Sequence, residues 1–281
     1  MGANKKLLIT LYTYNRPYYV AMNLMSLRNQ VFQDFDVMIV DDYSPIIISE
    51  HPLVSNIITR LKDDDHMVYV MRTKQNLGIC AARKFATKNI HNAWPFCFDL
   101  NDDHFLEPTC IDFMMKTIMN SSKIGVVGSA TPMIFWDWVK MTRAMVDWKG
   151  KINIITQGDG GTPKLHRGVD YLYLDDKGGI VGTPFEVDHA SQFIYRTGVV
   201  NVDDLPILSR VGFTEETDFS LRFRKAGFKV YHQPNALNWH MLSPKGGIRD
   251  TGSIERLELC KKDWGVFINN WKVWLDENNN K

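Results

Sequence analysis

No apolar run in the chain approaches the roughly 18–20 residues that a membrane-spanning helix needs, so a spanning protein is not expected. Cysteine is scarce. Cys80, Cys97, Cys110 and Cys260 form no CxxC pair and no zinc-like spacing, which excludes a zinc module or disulfide scaffold and suits thiols buried in a reducing compartment. Net charge is nearly absent as well: a formal +1 gives no global pull towards nucleic acid or anionic lipid. The opening "KKLLITLYTYNRP" is too short and polar to read as a secretory signal, and Lys6 stands where myristoylation would want Ser or Thr. Repeats are missing, and only the terminal "DENNNK" is low in complexity. Together these absences predict a cytoplasmic globular protein.

What is present is regular alternation. Apolar and polar spacing predicts strands at 7–13, 35–40, 67–71, 96–100 and 124–127. Helices are predicted between them at 17–30, 50–62, 78–90 and 108–120, the first opened by Pro17. Strand and helix in turn mean a mostly parallel sheet with helices on both faces, and ligands on such sheets sit beyond the carboxyl ends of the strands. Three of those ends are polar: "YTYNRP", "VDDYSP" and "LNDDHF". Beyond residue 130 the pattern changes to a hairpin around Lys149-Gly150, a Gly-rich loop over 158–183 and a strand over 186–195. A helix follows, with Thr214 as N-cap, a buried stripe of Phe219, Phe223 and Ala226, a surface pair Asp218–Arg222 and a stop at Gly227, and then a short strand. The tail, 254–275, carries Trp264, Phe267, Trp271 and Trp274 on one face, for packing on the sheet, on a second subunit as a homodimer, or at a membrane surface.

The stretch "FDLNDDHFLEP" poses the chemical question. An apolar strand ends abruptly in Asp99, Asn101, Asp102 and Asp103. A solvated turn is the ordinary explanation of such residues. Convergence with two other polar strand ends favours a hard-cation site instead, because Mg²⁺ and Mn²⁺ take carboxylate oxygens and complete their shell with water and substrate phosphate.

In this order the motifs resemble the nucleotide-diphospho-sugar transferases of the GT-A fold, glycosyltransferase family 2. "TYNRPYYV" resembles the family's base-holding loop, "MIVDDYS" its second motif, and "QNLGICAARKFA" its N-x-G-x-x-x-A-R-N segment. "LNDDHFLEP" is similar to its D-x-D-D-x-x-x-P element and "TEETDFSLRFRKAGFKV" to its E-D-x-D-L-x-x-R-x-x-x-A-G-Y segment, so the resemblance runs from Lys6 to His240. It implies a nucleotide-sugar donor, UDP-linked by preference, an acceptor hydroxyl, and Mn²⁺ or Mg²⁺. Donor contacts would come from Thr13, Tyr14, Asn15 and Arg16, from Asp42, from Asn76, Gly78 and Arg83, and from Asn101 and Asp102. Tyr14 would stack on the base, Asp42 would accept from it, and Arg83 would approach the diphosphate. Asp103 and His240 would hold the metal, and Glu216 would be the general base of an inverting transfer. Two departures stand out: Asn101 replaces the first metal-motif carboxylate, and Glu216 replaces the usual Asp.

The resemblance divides the chain into a donor part (1–130), an acceptor-side and catalytic part (131–245) and a helical tail (246–281). Between 136 and 168, Lys140, Arg143, Lys149, Lys151, Lys164 and Arg167 are interleaved with Trp136, Trp138 and Trp148. That composition admits an anionic acceptor, either a glycan or nucleic acid with a hydroxylated base. Two other functions compete. A haloacid-dehalogenase-type phosphohydrolase would use Asp99 as nucleophile, but "DLN" breaks its D-x-D. A degenerate transferase would bind a nucleotide sugar or glycan without turnover, as Asn101 hints.

Overall fold

The computed structural model describes residues 5–90, 93–131, 153–155, 164–166 and 183–278. The first half follows the predicted alternation: β1 (Leu7–Thr13), α1 (Pro17–Arg28), β2 (Phe35–Asp41), α2 (Pro52–Asp63), β3 (Val68–Arg72), α3 (Ile79–Ile90) and β4 (Phe96–Asn101). Next come β5 (His104–Leu106), α4 (Cys110–Met119) and β6 (Ile124–Ala130). The remainder comprises β7 (Asn153–Ile155), β8 (Lys164–His166), β9 (Phe185–Val187), β10 (Phe193–Arg196), α5 (Glu215–Lys225), β11 (Lys229–His240) and α6 (Ser253–Asn278).

One sheet, ordered β3-β2-β1-β4-β10-β6-β11-β5, organises the molecule. Strands β1 to β4 pair in parallel, whereas β10 lies antiparallel between β4 and β6. The sheet is therefore mixed, though mostly parallel. Period-two alternation sorts its side chains: Leu7, Ile9 and Leu11 join α1, α2 and α4 in one core, while Leu8 and Tyr12 join α3 and α5 in the other. A third cluster seats Trp264, Phe267, Trp271 and Leu275 of α6 on Leu221.

Several expectations are corrected. The single strand foreseen over 186–195 is two, because Gln192 adopts a left-handed φ of +46° and the chain leaves β9, paired with β11, for β10. The short strand after Gly227 runs twelve residues; it bulges at 233–237 so that its first part pairs with β6 and its end with β5. Thr214 is no side-chain cap: its φ is +74° and its hydroxyl makes no capping bond. Ala226 is exposed past the helix end. Asp218 is buried rather than on the surface, accepting from Arg222 and, at 2.6 Å, from Trp271 Nε1. The aromatic face of α6 packs within the chain, with Trp264, Phe267 and Trp271 buried against Leu221 and Trp274 partly buried beside them. No helix among the described residues is long and apolar enough to cross a membrane. The hairpin around Lys149-Gly150 and most of the basic, Trp-bearing segment lie outside the described residues.

Candidate active site

The carboxyl ends of β1, β2 and β4 open on a cavity of about 560 Å³. Thr13, Tyr14 and Arg16 line it from the first strand end, Asp42 from the second, and Asn101, Asp102 and Asp103 from the third. Asn76 and Gly78 reach it from the start of α3, Glu216 from α5 and His240 from the end of β11. Nearly every residue singled out from the sequence thus shares one space.

Two do not. Asn15 is exposed, with φ +56°, and its backbone N–H donates to Ser44 Oγ at 2.8 Å. Arg83 lies buried behind the wall. Its Nε and Nη2 donate to the two Asp99 oxygens at 2.5 and 2.7 Å, and Nη1 pairs with Glu215. A guanidinium held by two carboxylates and sandwiched near Tyr12 and Phe193 is a structural cation, so the diphosphate role expected of Arg83 has no geometry here. The same bonds occupy Asp99, which removes it as a phosphohydrolase nucleophile.

The "VDD" pair divides its work. Asp41 is fully buried and braces the loop after β2, accepting from the N–H groups of Ser44 and Ile48 and from Arg72. Asp42 faces the cavity but already accepts from Thr73 Oγ1, Leu77 N and Gly78 N at 3.1, 2.8 and 2.8 Å. Burial raises its pKa, and those backbone donors oppose the rise. Gly78 is required twice: its φ is +81°, and a Cβ there would lie 2.3 Å from the Arg210 Cα. That contact seats the 209–213 loop against the start of α3.

The β5–β11 ribbon builds the metal-motif corner. His104 stands directly opposite His240, and the Asp103 carbonyl accepts from Met241 N at 2.8 Å. Four groups converge on Asp103 Oδ2: Arg249 Nη1 at 2.8 Å, Ser243 N at 3.3 Å, His240 Nε2 at 3.4 Å and Arg16 Nη1 at 3.5 Å. Burial alone would raise the Asp103 pKa, but the His240 hydrogen bond and the surrounding positive charge, Arg16 included, hold it well below the usual range. Asp102 accepts from Arg16 at 2.8 Å; burial pushes it up to about 6, Arg16 opposing and Asp103 adding to the rise.

The residues fit a divalent ion. Neighbouring ligand atoms on such an ion stand about 3 Å apart, given bonds of about 2.0–2.2 Å, and Asp103 Oδ2 and His240 Nε2 are 3.4 Å apart. His104, which sequence reading missed, completes a candidate cluster whose ligand atoms all lie within 4.8 Å. Its ring, however, stacks on His240 at 4.7 Å and 7°, so the two sets of in-plane lone pairs run parallel instead of converging. With Nδ1 bonded to Asn238 Oδ1, and burial and the neighbouring His240 lowering its pKa to about 3, His104 is a neutral backing for His240, the candidate ligand.

Glu216 and Glu215 diverge at the start of α5. Glu215 pairs with the buried Arg83, whereas Glu216 accepts from Gln192 Nε2 at 3.4 Å. Gln192 Oε1 in turn accepts from the Asn101 N–H at 2.8 Å, tying the base candidate to the metal-motif strand end. Gln192 was missed because it lay inside what read as one strand. The remaining cavity wall, with Arg210, Arg249 and Arg256, was missed too, since neither loop 209–213, the turn before α6 nor the first turn of α6 carries a motif.

The model of glycosyl transferase family 2 matches residues 9–170, more than half of the chain, and the chain belongs to that family. Similar solved structures include S. aureus TarS 1–349 in complex with UDP-GlcNAc, with 17% identity over 88% of this chain and 61% of that one, at a TM-score of 0.58. GalNAc-T7 with UDP, GalNAc and Mn²⁺ gives 12% identity over 96% and 50%, at 0.64. These likenesses establish the GT-A fold. The chain spans 37% of the longer TarS chain and half of the GalNAc-T7 chain. No curated protein sequence matches it.

Proposed function

We propose that the chain transfers a hexosyl or pentosyl unit from a UDP-sugar to an acceptor hydroxyl, with inversion and with Glu216 as general base. Membership of the family and the GT-A fold support glycosyl transfer. UDP is favoured because TarS and GalNAc-T7 are similar structures holding UDP-sugar or UDP. The observation that carries the reading is the single cavity in which Asp42, Asp102, Asp103, His240 and Glu216 meet from separate segments.

In this reading Thr13, Tyr14 and Asp42 hold the nucleoside end of the donor, with Asn76 and Gly78 shaping the wall beside them. Asp103 and His240 hold Mn²⁺ or Mg²⁺, which when bound offsets the negative charge growing on the departing diphosphate. Glu216 takes the acceptor proton while Gln192 fixes its carboxylate. A base on the face opposite the leaving group gives single displacement and hence inversion. The acceptor is a glycan or another hydroxyl compound, and the basic composition of 136–168 supports an anionic one.

Glu216→Gln retains size and hydrogen bonding but cannot accept a proton, and a general base contributes about 10²–10⁴-fold. kcat should fall within that range with UDP affinity unchanged, while Glu215→Gln leaves kcat within a few-fold. Product NMR should show the inverted anomer. Full activity in Glu216→Gln, or a retained anomer, rejects the mechanism. UDP binding without any metal-dependent hydrolysis of a UDP-sugar would select the non-catalytic binder instead.

A further inference from the structure

A carboxylate oxygen offers two lone pairs, yet four donors stand around Asp103 Oδ2. They differ in how firmly they are held. Ser243 contributes a backbone N–H beside β11. Arg16 is anchored by Asp102, by the Lys245 carbonyl at 2.9 Å and by the Gly246 carbonyl at 2.6 Å. His240 is fixed by its strand and by the stack on His104. Arg249 has no such ties: among the described residues its side chain bonds only to Asp103, at the shortest distance of the four.

Its backbone places it on the cavity side of a fixed turn. Arg249 sits on the one-turn helix Gly247–Asp250, entered through Gly246 and Gly247 at φ +81° and +54°. A Cβ on Gly246 would fall 2.6 Å from the Arg16 side chain, so the turn packs on Arg16 through backbone alone. Arg16 holds the near side of this turn by its carbonyls. The arginine on its far side lines the cavity.

We propose that Arg249 and the divalent cation are alternative partners of Asp103: the guanidinium neutralises the carboxylate in the cation's absence and is released into the cavity when the cation binds. The proposal rests on the metal reading above. Both partners need the same oxygen, both are positive, and of the two arginines on it Arg249 is the one that, among the described residues, can leave without breaking another bond. The exchange keeps the buried carboxylate paired in either state. It also adds a free guanidinium to the cavity at the moment the cation arrives, which couples metal binding to capture of an anionic diphosphate.

The test is Mn²⁺ affinity of the full chain without nucleotide, by electron paramagnetic resonance. An occupant that holds a site nine-tenths of the time lowers apparent affinity about tenfold, so Arg249→Gln should bind Mn²⁺ about tenfold more tightly than wild type. Arg256→Gln, which removes a cavity arginine that is not on Asp103, should change affinity less than about twofold, the small effect of a distant screened charge. Unchanged or weaker binding by Arg249→Gln overturns the proposal, and so does equal tightening in both variants. If Arg249→Gln does not fold, Arg249→Lys supplies the same comparison, with tightening still expected because the guanidinium bond to Asp103 Oδ2 is lost, and its absence counting against exchange. Asp103→Asn should abolish binding in every background. Mn²⁺ bound undiminished by Asp103→Asn would fail the metal reading, while metal-free UDP binding on the same samples tests the nucleotide reading separately.

Discussion

Asp263 should be among the most sensitive polar positions of the fold, although no motif marks it. It lies on α6 with no exposed surface, and its two oxygens serve one loop. Oδ1 accepts from Ser209 N at 2.6 Å, and Oδ2 accepts from Ser209 Oγ at 2.7 Å and Phe213 N at 2.9 Å. Hydrogen bonds to a charged group contribute about 1.5–3 kcal/mol each, which would sum to about 4.5–9 for three. Ser209 and Phe213 are only half-buried, so water can reach the freed donors, and about 3–5 kcal/mol is the defensible figure for Asp263→Ala. Asp263→Asn keeps one acceptor but turns an amide N–H towards a backbone N–H, for a loss of about 1.5–3 kcal/mol. Ser209→Ala removes one bond of the three, with the same discount for water access, and the bond its Oγ accepts from Val211 N, and should lose about 1–2 kcal/mol. Urea unfolding followed by tryptophan fluorescence measures these as shifts of midpoint at constant slope. Because loop 209–213 walls the cavity, UDP affinity should fall in the same order. A loss below about 1 kcal/mol for Asp263→Ala would refute the reasoning, for the loop would then be held by its apolar contacts.

Gly78→Ala should lose about 2–5 kcal/mol, combining the strain of a left-handed φ with overpacking against the Arg210 backbone; thermal unfolding reads it, and a drop under about 1 kcal/mol would mean the 209–213 loop yields easily. Cysteine labelling of the native protein should find Cys260, on the cavity wall, reactive and UDP-protected. Cys97 and Cys110 are fully buried and should react only after unfolding, whereas half-buried Cys80, its thiol pushed by burial up to about 12, should react slowly. Two or more fast thiols in the folded protein would contradict this burial.

The parallel half was legible because its signals are local. Leu7–Thr13 was read to the residue, and helix ends differed by one or two positions, as where α1 stops at Arg28 rather than at 30. The antiparallel half was not legible, for three physical reasons. His104–Leu106 is too short to show a period, although it carries the register that sets His104 opposite His240. Gln192 breaks a strand by a left-handed φ that its residue type does not announce, as Gly or Asn would have. The metal-motif corner depends on Arg16 and Arg249, separated by most of the sequence, and charge pairs at such a distance leave no mark in spacing.

The two glutamates at the head of α5 are told apart by motif and by geometry on different grounds. From sequence, either Glu215 or Glu216 stabilises a first helical turn, and only the motif alignment preferred the second. In the structure, successive residues on a helix diverge by about 100°, which sends the pair to different environments. Glu215 turns to Arg83, the cation that also neutralises Asp99 beneath the sheet edge; its charge is committed to folding. Glu216 turns to Gln192, whose other end grips the Asn101 N–H at the metal-motif strand. The uncharged Asn101 contributes through its backbone as a fixed point for that bridge, independently of whether its amide ever meets a cation. Placement of Glu216 relative to the metal-motif strand end then depends on Gln192 and on the kink that holds it.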